Sequence, residues 1–162
     1  MLEWVTVSHT LKLAAIVVPL AGFAMVTAES QRHLPQPGTS AEEPGVRAAL
    51  NAYLEGHATG QADAFRRAFQ PEARMLYAKD GHLVKTEIAE YIARAPGKPA
   101  LDEDQRTRSI DFVDVVGDAA IARITLTYPE VTFTDYMTLL KIDGEWRIVS
   151  KVFSADRKHP KS

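Results

Sequence analysis

Cysteine is absent from all 162 residues. That excludes disulfides, thiolate nucleophiles and cysteine-ligated metals together. Charge imbalance is missing too: 19 Lys and Arg stand against 21 Asp and Glu, a formal net charge of −2. The basic residues are scattered and form no stripe, so no nucleic-acid partner is expected. The histidines, His9, His33, His57, His82 and His159, never fall at an H-x-x-x-H spacing, and neither a metal nor a cofactor is expected. Long apolar runs are scarce. The clearest, residues 13–28 (LAAIVVPLAGFAMVTA), holds sixteen uncharged residues and is interrupted by Pro19 and Gly22. A membrane span needs roughly 20.

What is present is the usual mix for a globular domain, 46% hydrophobic and 25% charged residues, in a length that suits one domain with a proper core. Lys12 precedes the apolar run, and Val26 and Ala28 would occupy the −3 and −1 positions of a cleavage site. Residues 1–28 therefore read as an export signal, and the protein as periplasmic or secreted. Glu3 and Trp4 are unusual so early in a signal. An uncleaved anchor is the alternative, and only then is a membrane a partner. Residues 29–44, with three prolines and no periodicity, read as a flexible linker. A folded domain is expected over 45–154 and a polar tail over 155–162.

Within the domain, Pro44 can open a helix because a first-turn residue needs no donor. Val46, Leu50, Tyr53, Leu54 and His57 recur on one face, and Gly60 is placed to end the helix. Asp63 is expected to cap a second short helix carrying Phe65 and Phe69, closed by Pro71. Residues 74–77 and 82–85 form a hairpin around Lys79-Asp80-Gly81. Thr86 is expected to cap a third helix with Ile88, Tyr91 and Ile92, stopped by Pro96. Residues 97–105 are polar and read as a loop. Strands follow over 108–116 and 120–128, turning at Gly117-Asp118. A last hairpin folds back at Asp143-Gly144, a pair that tolerates positive φ. The fold class is α+β: three N-terminal helices packed on a strongly curved antiparallel sheet.

Period-two alternation sorts the faces. Ala120, Ala122, Ile124, Leu126 and Tyr128 share one side of their strand; Ile121, Arg123, Thr125 and Thr127 share the other. In the next strand Val131, Phe133, Asp135, Met137 and Leu139 line up. A carboxylate in that apolar row needs a partner or a purpose.

The stretches AYLEGHATGQADAFRRAF, PEARMLYAKDG and GDAAIARITLTY…DYMTLLKIDGEWRIVSKVF resemble the nuclear-transport-factor-2-like (NTF2-like) superfamily. Within it they are most similar to the small bacterial family labelled "putative lumazine-binding". The resemblance spans residues 46–153. It implies a cone, in which a bent sheet wraps three helices and leaves a pocket at its wide end. The superfamily hosts steroid isomerases, polyketide cyclases, dehydratases and non-catalytic binders, so fold does not select a function. The steroid isomerases carry a catalytic tyrosine sixteen residues before a phenylalanine, as Tyr53 stands before Phe69. Their general base, however, falls on Tyr77, and their second oxyanion donor near Met137. Neither residue suits its role at pH 7, which disfavours that chemistry.

The candidate acid or base is Asp135. Its plain alternative is a structural ion pair with Lys151 or Arg123. Tyr53, Tyr77, Arg123, Asp135, Met137 and Lys151 are the candidate ligand-binding residues. Lys151 is more often a solvated strand residue, and Tyr53 most simply packs its ring in the core with its hydroxyl at the edge. His57 reads as a core histidine with satisfied nitrogens, His82 as exposed, and Trp146 as a cover over the core. Three functions compete: binding of a small apolar or aromatic molecule, an isomerase, cyclase or dehydratase using Asp135, and a dimeric interaction module. The resemblance implies a homodimer through the outer sheet face, with Ile121, Thr125 and Thr127 on that surface.

Overall fold

The computed structural model describes residues 41–158. The export-signal expectation and most of the linker fall outside the described residues, as do His9, His33 and His159.

Helix α1 (Glu43–Thr59) carries Pro44 in its first turn and ends at Gly60, whose φ of 70° is left-handed. A glycine is required there twice over. The conformation penalises a side chain, and a Cβ would lie 2.2 Å from the Lys98 carbonyl oxygen. The amide of Gly97 also bonds the Gly60 carbonyl at 2.8 Å, tying the later loop to the helix end. At the other end Glu42 accepts bonds from Lys141 Nζ (2.8 Å) and Trp146 Nε1 (3.0 Å), anchoring the helix start beside the last hairpin.

Helix α2 (Ala62–Ala68) departs from expectation at both ends. Gln61, not Asp63, holds the N-cap position, and Asp63 pairs with Arg66 inside the first turn. The helix stops at Ala68 without proline, because Phe69 already adopts extended backbone. Pro71 lies within strand β1 (Phe69–Lys79), where the register against its neighbour shifts between Phe69 and Arg74. A residue without an N–H is tolerated at such an irregularity. Strand β2 (His82–Glu87) returns through Asp80-Gly81, both at positive φ. Thr86 is a buried residue of this strand, opposite Met75, and Glu87 takes the cap position of helix α3 (Ile88–Ala93). The extended chain simply persists one residue longer than the capping motif suggests.

Strands β3 (Thr107–Val116), β4 (Ala119–Thr127), β5 (Val131–Ile142) and β6 (Glu145–Arg157) complete one sheet of order β2-β1-β6-β5-β4-β3. The last strand runs on through Arg157, into the stretch that the sequence assigns to a polar tail. Four of the pairings are antiparallel; β1 lies parallel to β6. Asp143 and Gly144, at φ 52° and 84°, make the tight turn between β5 and β6.

Two bulges bend the sheet. Asp111 is the extra residue in β3, held by Ser109 (2.5 Å) and Thr125 (2.6 Å). Val149 is the extra residue in β6, between the pairs Leu139–Ile148 and Thr138–Ser150. Val46, Leu50 and Tyr53 of α1, with Ile88 of α3, pack on Ile124, Leu126, Met137, Leu139 and Ile148 of the concave face, each at most 2% exposed. Burying side chains of this size stabilises by roughly 1.5–3 kcal/mol each. The alternation expected for β4 and β5 holds, with Ala120 to Tyr128 and Asp135 to Leu139 facing inward.

Candidate functional site

Three elements converge on one buried cluster. The middle of α1 carries Tyr53, the inner row of β5 carries Asp135, and β6 carries Lys151. The Tyr53 hydroxyl donates to Asp135 Oδ2 at 2.6 Å and accepts from Lys151 Nζ at 2.7 Å. Lys151 Nζ lies 3.0 Å from the same carboxylate oxygen. Tyr53 and Asp135 are fully buried, and Lys151 is 5% exposed. Among the described residues Asp135 Oδ1 has no hydrogen-bond partner. An orphaned carboxylate oxygen at this depth is costly and invites a donor.

The bulge at Val149 is what brings Lys151 inside. Trp146 and Ile148 face inward at even positions; beyond the extra residue the odd positions Lys151 and Phe153 do so. The Lys151 stem runs between Met75 of β1 and Met137 of β5, its register partners on either side. Its ammonium lies 5.1, 5.9 and 5.0 Å from the ring centres of Tyr53, Tyr91 and Phe153. Burial lowers the Lys151 pKa, opposed by the Asp135 charge and hydrogen bond. Burial, with Tyr91 and Asp135 nearby, raises that of Tyr53 far above the ordinary phenol range.

A second polar line joins the first. His57, one turn along α1 from Tyr53, stacks edge-on against it at 4.6 Å. Its Nε2 lies 3.0 Å from the Tyr91 hydroxyl and its Nδ1 3.0 Å from the Tyr128 hydroxyl. Burial pushes the imidazole well below its ordinary pKa, helped by the charges of Lys151, Arg108 and Arg106. The ring is therefore neutral at pH 7, donating through one nitrogen and accepting through the other. Arg106 stacks over Tyr128 at 4.3 Å. Arg108 bonds Glu103 (2.6 and 2.8 Å) and the His57 carbonyl (3.1 Å).

A cavity of about 350 Å³ adjoins this line, bordered by His57, Phe65, Met75, Tyr91, Lys98 and Arg106. Met75 and Tyr91, its inner wall, are the residues that flank Lys151. Beyond the cluster a band of half-buried rings continues along the concave face. Tyr77 stacks on Phe153 at 4.8 Å, Phe153 meets Phe133 at 6.1 Å, and Phe133 meets Tyr128 at 5.8 Å. A second groove of about 380 Å³ lies between α2, β1 and α3, lined by apolar side chains with Arg66 and Gln70. It touches none of these polar groups.

Of the residues singled out in the sequence, Tyr53, Asp135, Lys151 and Met137 come together, with Tyr77 farther along the same face. Arg123 does not join them. It sits on the outer face opposite Tyr136 and pairs with the bulged Asp111 at 3.4 Å. Tyr91, Tyr128, Arg106 and Arg108 were not singled out. Tyr128 closes an inward row and Tyr91 a helical one, so both read as packing until their hydroxyls meet at His57. Among the described residues no group of three His, Asp or Glu side chains is arranged to hold a metal. No helix among them is long and apolar enough to cross a membrane.

A concave mixed sheet enclosing three helices and a polar interior defines an NTF2-like cone domain. More particularly, the chain belongs to the family described as "Putative lumazine-binding", which it matches over residues 41–154. Solved NTF2-like proteins of unknown function are similar over about three quarters of the chain. One from Shewanella baltica is 28% identical, covers 76% of this chain and 100% of its own, and has a TM-score of 0.65. One from Methylobacillus flagellatus is 26% identical over 75% and 98% of the two chains, with a TM-score of 0.62. A protein named aldolase FrzH, from Cladobotryum sp, is 27% identical over 118 residues, 71% of this chain and 92% of that protein.

Proposed function

We propose that the domain binds a small apolar or aromatic molecule on the concave face, with Lys151, Tyr53 and Asp135 as its polar anchor. The observation that carries this reading is a charged and hydrogen-bonded cluster behind a ring-lined cavity, with one carboxylate oxygen still unpartnered. Apolar walls with a few convergent polar groups are the usual make-up of a ligand site. The family's name and the cone fold support the same class of function. Native mass spectrometry of gently purified protein, run beside Asp135→Asn, tests it. A retained small molecule that the variant loses is expected. Bare chain mass in both, with no saturable shifts on titrating benzyl alcohol, refutes it.

A second reading, an enzyme using Asp135 as acid or base, is favoured by the hydrogen bonds that link three ionisable groups in one line. A turnover rate unchanged in Asp135→Asn refutes that reading. Two further elements of the proposal concern setting. Residues 13–28 support export. Ile121 and Tyr136, 49% and 56% exposed on the outer sheet face, support pairing of two copies there.

A further inference from the structure

We infer that Lys151 is an imine-forming nucleophile for a small aromatic aldehyde or ketone held in the adjoining cavity, whose lining residues Met75 and Tyr91 also flank the amine. The inference rests on the pocket reading above and deepens it.

Lysines on a sheet surface stay hydrated and protonated, and react with carbonyls slowly. Lys151 differs in three respects that geometry supplies. Its side chain is 6% exposed, so its ammonium has lost almost all of its water. It is hydrogen-bonded to Tyr53, which is itself bonded to Asp135, giving a continuous path for a proton to leave the amine. The remaining surroundings of the nitrogen are the rings of Tyr91 and Phe153, against which an aromatic carbonyl compound would lie flat. Burial is a recognised way of preparing a lysine for Schiff-base chemistry. Asp135 works in the opposite sense while it is charged. The relay through Tyr53 gives the amine's proton a hydrogen-bonded path to the carboxylate.

The step balances without any oxidant. Tyr53 passes its hydroxyl proton to Asp135 Oδ2 and receives one from Lys151, leaving Asp135 protonated and the amine neutral. The nitrogen lone pair attacks the carbonyl carbon, and the C=O π pair moves to oxygen. That oxygen acquires two protons in all, one from Asp135 through Tyr53 and one from the nitrogen. The C–O bond then breaks, water departs, and the nitrogen lone pair closes C=N. Protonated lysine plus carbonyl has become protonated imine plus water, with Asp135 again charged.

The test uses the full chain, benzaldehyde as the carbonyl probe and cyanoborohydride to trap any imine, followed by peptide mapping. Benzyl alcohol, which cannot form an imine, is titrated in parallel by NMR. Each unit by which a lysine pKa falls multiplies its neutral fraction about tenfold at fixed pH. Lys151 is therefore expected to be benzylated about tenfold above the exposed Lys79 and Lys85. Tyr53→Phe keeps the ring and removes the hydroxyl step, leaving only the direct 3.0 Å approach of the amine to Asp135, so labelling at Lys151 should drop about tenfold while the far-ultraviolet spectrum is unchanged. If benzyl alcohol binds but Lys151 is labelled no faster than the surface lysines, the imine is overturned and the pocket stands. If benzyl alcohol does not bind and Lys151 is unlabelled, both fall. Unaltered labelling in a folded Tyr53→Phe variant overturns the assigned relay.

Discussion

Replacing Lys151 with methionine asks what the buried cluster contributes. Methionine matches the lysine stem in length and should pack between Met75 and Met137 without a cavity, so the change isolates the ammonium. At 3.0 Å from Asp135 Oδ2, the attraction is about 5 kcal/mol with an effective dielectric near 20. Desolvation of both ions offsets most of it, and the net worth of the intact pair is small. The variant does not return to that balance. Among the described residues it leaves Asp135 fully buried with Tyr53 as its one donor and Oδ1 still orphaned. Removing one partner of such a pair typically costs about 3–5 kcal/mol, and that loss is the expectation for Lys151→Met in urea unfolding followed by circular dichroism.

The double variant Lys151→Met with Asp135→Asn removes both charges and keeps an acceptor for Tyr53. It should be more stable than Lys151→Met alone by about 1–3 kcal/mol, the usual coupling for groups in contact. A single variant as stable as the wild type would refute the reasoning. So would a double variant no better than the single, since the penalty would then not reside in the stranded carboxylate.

Acid should weaken the domain through His57. Its folded pKa lies well below the ordinary 6.5 because of burial and the charges of Lys151, Arg108 and Arg106, with the Tyr53, Phe65, Tyr91 and Tyr128 rings packed around it. Below pH 6.5 the unfolded chain binds a proton that the folded one refuses. Stability is therefore present above that pH and falls on acidification, by up to about 1.4 kcal/mol per unit until the folded pKa is reached. Urea midpoints between pH 7 and 5 check this, and His57→Gln should flatten the slope. Gly60→Ala should cost at least about 1–2 kcal/mol from its left-handed φ alone, with more from the approach to the Lys98 carbonyl, read as a lowered melting temperature. Tyr136→Glu, on the exposed face, should shift sedimentation of a dimer toward monomer at micromolar concentration while leaving the fold intact. A wild type already monomeric there refutes the outer-face pairing.

Those local features of the sequence that have short-range causes were readable. Asp143-Gly144 and Asp80-Gly81 demand positive φ, and both turn where expected. Val46, Leu50 and Tyr53 recur at helical spacing and are all buried. The capping assignments at Asp63 and Thr86 failed because a capping residue is only a weak local preference. Extended backbone at Gln61, just after α1, and at Glu87, the last residue of β2, decided the starts. The parallel pairing of β1 with β6 joins segments far apart in the chain, with no turn between them to reveal the partnership.

Lys151 shows why the candidate site was harder to read than the fold. Counting by twos from the buried Trp146 and Ile148 puts Ser150 inside and Lys151 in solvent, which is how a lysine late in a strand is normally read. One extra residue, Val149, reverses that parity. Nothing in the string WRIVSKVF marks the bulge. It is imposed by the bend the sheet needs to wrap around three helices. Asp135, in an uninterrupted row, could be flagged from alternation alone, but alternation could not choose between Lys151 and Arg123 as its partner. The bend thus serves two ends at once: it closes the cone around α1, and it carries the lysine across to the carboxylate and the tyrosine. The Tyr91–His57–Tyr128 line likewise joins α3, α1 and the end of β4, three segments whose meeting is a property of the closed cone. A buried polar cluster assembled from separate elements in this way is visible only when curvature is known, whereas the apolar rows around it follow from period alone.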